Sequence, residues 1–63
     1  MKPNVNEYNR ALVNELQACI DTGNQGQAET CLALAESYLD DGKINVQQRA
    51  DLQADFDTAF PDA

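Results

Sequence analysis

The chain has 63 residues, 43% of them hydrophobic, with four basic side chains against eleven acidic ones and a net charge of −7. That balance argues against direct nucleic-acid binding, which needs Lys and Arg to neutralise phosphates, and against anionic membrane surfaces for the same reason. No apolar run approaches the ~20 residues of a membrane span, and the N-terminus lacks the apolar stretch of a signal peptide, so one cytoplasmic domain is expected.

Three copies of one helix-start signal divide the chain: Asn4-x-x-Glu7, Asn24-x-x-Gln27 and Asn45-x-x-Gln48. In each, the Asn side chain accepts from an amide of the first helical turn, and Glu or Gln reaches back to the cap. Gly23 and Gly42 mark where the first two helices stop, since glycine tolerates the left-handed conformation that ends a helix, and Pro61 closes the third. The spacing predicts helices over about 5–21, 25–40 and 46–60.

In the first helix, Val5, Tyr8, Leu12, Leu16 and Cys19 fall on one stripe, widened by Val13 and Ile20. Asn9 is the odd polar member of that arc. The second helix presents Ala28, Cys31, Leu32, Ala35 and Leu39, and Leu34 with Tyr38 extends the arc on one side only. In the third, Leu52, Phe56, Ala59 and Phe60 form the apolar face, and Arg49 lies within it, its stem over the core and its head in water. Ile44, just before the cap, sets the angle at which the chain enters this helix.

A tight Thr22-Gly23 turn makes the first two helices an antiparallel hairpin. The second connection, 41–44, is also short, and it either returns helix three to the hairpin or swings it out to a neighbour. The expected class is therefore all-α: three short helices, an antiparallel helical hairpin plus a third helix. Large apolar side chains are few and the hydrophobic arcs are wide, so homo-oligomerisation, with a dimer favoured, is expected to complete the fold. Tyr8, Leu12, Leu16, Leu34, Tyr38, Phe56 and Phe60 are the expected oligomer or partner interface, because aromatic and aliphatic residues at the edge of a stripe are common anchors.

Catalytic chemistry has little to stand on. There is no histidine, the single serine, Ser37, has no partner in a recognisable motif, and Asp40-Asp41 sits beside Gly42 with no apolar wall to raise a carboxyl pKa. Asp40-Asp41-Gly42 lacks the alternating ligands of a calcium loop, and Gly23 and Gly26 do not follow a strand, so no phosphate loop is present. No enzyme activity, cofactor or metal site is expected. Cys19 and Cys31 flank the first turn almost symmetrically; they read first as reduced, buried small hydrophobes and second as a redox pair. Asp40, Asp41, Asp51 and Asp55 belong to an acidic surface, read either as ordinary solvated charge or as a face for a basic partner.

The MKPNVNEYNRALVNELQACIDTG opening and the overall length resemble the small open-reading-frame products of the exo–xis region of lambdoid temperate phages. The resemblance implies expression in the bacterial cytoplasm and modulation of host or prophage development through protein contacts, and it assigns no residue a role. The function expected is a non-enzymatic protein–protein interaction module. Alternatives are an acidic nucleic-acid mimic that blocks a basic binding protein, and a structural or assembly protein.

Overall fold

A computed structural model describes residues 6–62, which form three helices: α1 (Glu7–Thr22), α2 (Gln25–Asp40) and α3 (Val46–Ala59). Each begins at an asparagine. Asn24 accepts from the Gln27 amide at 3.1 Å, and Asn45 accepts from the Gln48 amide at 2.8 Å. At α3 the box is complete, because the Gln48 side chain accepts in return from the Asn45 amide at 2.9 Å. At α2 the Asn24 amide donates instead to the Cys19 carbonyl at 2.8 Å, so it serves the end of α1.

The first cap differs from expectation. Asn4 and Val5, expected as the cap and first residue of helix one, lie outside the described residues. Asn6 caps α1, accepting from the Asn9 amide at 3.1 Å.

One stop signal is used at both turns. Gly23 and Gly42 have φ of 70° and 77°, in the left-handed region where a side chain would be strained. After Gly23, the amides of Gly23 and Asn24 return to the carbonyls of Ile20 and Cys19. After Gly42, the amides of Gly42 and Lys43 return to Leu39 and Tyr38. This crossed pair of bonds satisfies carbonyls that the helix ends would otherwise leave open. The third helix ends at Phe60, whose amide reaches the Phe56 carbonyl at 2.8 Å, one residue before Pro61.

The core settles where α3 goes. Leu12, Leu16 and Cys19 of α1, Ala28, Cys31, Leu32 and Ala35 of α2, and Leu52 and Phe56 of α3 are buried in one cluster with Ile44. Helix three thus packs on its own hairpin. The total surface is 4090 Å², against about 4,000 Å² expected of a monomeric protein of 6.9 kDa. The core cluster thus draws on all three helices and on the loop before α3. The Arg49 side chain is only 18% exposed, and its head is engaged rather than left in water: Nε donates to Glu36 Oε1 at 3.0 Å and Nη1 to Gln53 Oε1 at 3.1 Å.

Candidate interaction surface

With α3 on one side of the hairpin, the other side carries a shallow groove of about 350 Å³ between α1 and α2. Ala11, Leu12 and Glu15 form its α1 wall, and Gln27, Thr30, Cys31, Leu34 and Tyr38 its α2 wall. The spacing explains the walls. On α2, residues 27, 30, 34 and 38 advance by three or four and so share a column, one step round the helix from the core column of Ala28, Ala35 and Leu39. Leu34 is 46% exposed at the rim.

One end of this face is aromatic. Tyr8 and Tyr38 meet edge to face with centroids 5.2 Å apart and ring planes at 75°. The Lys43 ammonium lies 5.4 Å from the Tyr8 ring centre and 3.7 Å from Asp41. A cation over a tyrosine face and an edge-to-face pair are each worth about 1 kcal/mol, enough to hold Tyr8 in place although it is 45% exposed.

The seven expected interface residues therefore separate. Leu12, Leu16 and Phe56 are buried in the chain's own core, and Leu12 also lines the α1/α2 groove. Tyr38 and Phe60 are half-buried against that core, and Phe60 stacks obliquely on Phe56 at 5.2 Å. Tyr8 and Leu34 remain exposed. Ala11, Glu15, Gln27 and Thr30 were not singled out from sequence. Their only signal is a three-and-four spacing with Tyr8 and Leu34.

All eleven acidic side chains are exposed. Asp51 and Asp55 lie one turn apart on α3, and Asp55 joins Gln17, Ile20, Thr58 and Ala59 around a second, more open groove of about 310 Å³ between α1 and α3. Asp40 and Asp41 lie instead at the end of α2. Among the described residues, no group of three or more Cys, Asp or Glu is placed to hold a metal ion, and no helix is long and apolar enough to cross a membrane.

Cys19 and Cys31 are both buried free thiols within the core cluster. Cys31 Sγ donates to the Leu12 carbonyl at 3.4 Å, and Cys19 Sγ lies 3.9 Å from Glu15 Oε2. Burial, followed by the charge and hydrogen bond of Glu15, raises the Cys19 thiol above its ordinary value. Burial raises Cys31 as well, with Cys19 and then Glu15 adding to it. Such thiols stay protonated at neutral pH and are poor nucleophiles.

No protein-family model, curated protein or solved structure matches this chain.

Proposed function

We propose that the chain is a non-enzymatic protein–protein interaction module that self-associates and, in the bacterial cytoplasm, binds and modulates another protein as a phage accessory factor. The observation that carries the reading is the α1/α2 groove, with Leu34 exposed at its rim and Tyr8 exposed beside Tyr38 at its end. Exposed aliphatic and aromatic side chains gathered at one concave face are characteristic of contact surfaces.

A second reading, an acidic mimic of nucleic acid, draws support from the charge distribution. Every acidic side chain is exposed, whereas Lys43 and Arg49 are engaged with Asp41 and Glu36.

A pull-down from bacterial lysate at low and high salt tests both. Stoichiometric capture of one protein that survives high salt is the expected result. Capture at low salt alone, reversed by added DNA, moves the assignment to the mimic, since such contacts are screened over about 10 Å at 0.1 M salt. Capture of nothing specific overturns the modulator reading.

A further inference from the structure

We infer that the α1/α2 face is where a second copy of this chain docks, hairpin against hairpin around a twofold axis, with α3 of each copy outside. The inference rests on the proposed self-association and assigns it a surface.

Charge placement identifies the occupant. A protein of net charge −7 meets its own copy only through a face from which charge has been excluded, because like charges brought together across an interface are costly. The α2 wall meets that condition: Gln27, Thr30, Leu34 and Tyr38 carry no charge along the whole groove. On the α1 wall, Glu15 is the single charged residue. Three of the hairpin's other acidic groups, Glu29, Glu36 and Asp21, lie away from the groove, while Asp40 and Asp41 sit at the end of α2. Glu36 faces α3 through Arg49, and Glu29 lies two turns before Glu36 on that same column. Asp21 is held by Gln17, which lines the α1/α3 groove with Asp55. A basic foreign helix would be matched by acids along both rims, and the α2 rim has none.

The available area sets the strength. Helices of 16 residues are about 24 Å long, and two side by side are about 20 Å wide, giving roughly 480 Å² per copy. About 1,000 Å² in total is the lower limit for a specific interface, so a dimer through this face falls at the weak, transient end. Two hairpins joined this way place four helices around a shared seam, as in four-helix bundles.

Sedimentation of the full chain over a concentration series tests this, with circular dichroism reporting helicity. The expected result is a reversible dimer that tightens as salt screens the net repulsion. Leu34→Glu and Ala11→Glu, on opposite walls, should each weaken it about tenfold or more with helicity unchanged. Val13→Glu, matched in exposure at 40% but on the α3 side of α1, should have little effect. Glu15→Gln should tighten the dimer by removing the one charge from each face. A dimer that resists both groove variants but yields to Val13→Glu overturns the assigned face and leaves self-association standing. A dimer weakened by salt overturns the charge argument. A monomer at roughly 500 µM in high salt overturns the inference and the self-association it rests on, leaving the partner test untouched.

Discussion

Asn6 and Lys43, 37 residues apart in the chain, are joined by a hydrogen bond of 2.6 Å from the Asn6 side-chain Nδ2 to the Lys43 carbonyl. The other end of the same amide, Oδ1, caps α1 through the Asn9 amide. One side chain thus starts the first helix and fastens it to the loop before α3. That loop also carries Ile44 into the core and Lys43 over Tyr8, so the tie fixes the aromatic end of the groove.

Removal of Asn6 should therefore cost more than removal of either other cap. Asn45→Ala deletes a cap worth about 1 kcal/mol, whereas Asn6→Ala deletes a cap and a partly buried tertiary bond, about 2 kcal/mol together. Asn6→Asp keeps the acceptor for the cap but presents a carboxylate to a carbonyl, and should fall between them. Urea unfolding followed by circular dichroism measures all three. Equal losses for Asn6→Ala and Asn45→Ala would show that the bond to Lys43 contributes nothing in solution.

Asn9 presents the opposite case. Its backbone amide is satisfied by Asn6, but its side-chain Oδ1 is buried with no hydrogen-bond partner among the described residues. A stranded acceptor of this kind costs about 1–3 kcal/mol relative to an apolar group of similar shape. Asn9→Leu should stabilise the fold by about 1 kcal/mol, a rise in Tm of roughly 4–8 °C for a domain of this size. A fall in Tm would mean that water reaches the oxygen and that the amide is worth keeping.

These two asparagines also mark where sequence reading stops. Caps at Asn24 and Asn45 and stops at Gly23 and Gly42 are written in residues three or four apart, and all four are read correctly from local pattern. At the first helix, Asn4 and Asn6 compete, and the Glu7 match favours the wrong one. Asn6 also holds a bond to Lys43, which no local pattern contains. The same limit applies to α3. Leu52 and Phe56 announce an apolar face by their spacing, but periodicity does not say which neighbour covers it; in the structure that face lies in one cluster with Leu12 and Leu16 of the hairpin. Leu34 and Tyr38 were visible as an off-centre flank. The small and polar groove residues Ala11, Gln27 and Thr30 have no signature of their own and acquire one only when two helices are set side by side.

The two thiols predict a pH dependence with a definite sign. Cys19 and Cys31 are held above the ordinary thiol value of 9.0, chiefly by burial, with Glu15 adding to both and Cys19 to Cys31. Between the unfolded and the folded pKa, the folded chain keeps protons that the unfolded chain has released. Stability is then fully present below about pH 9 and falls as pH rises above it, because the folded state binds more protons there. Urea midpoints from pH 7 to roughly 10.5 span that window. The Cys19→Ala/Cys31→Ala double variant starts from a lower midpoint, having lost buried volume, but its midpoint should fall less steeply over the alkaline range. Parallel falls in the two proteins would assign the alkaline loss to other groups and return both cysteines to the role of packing alone.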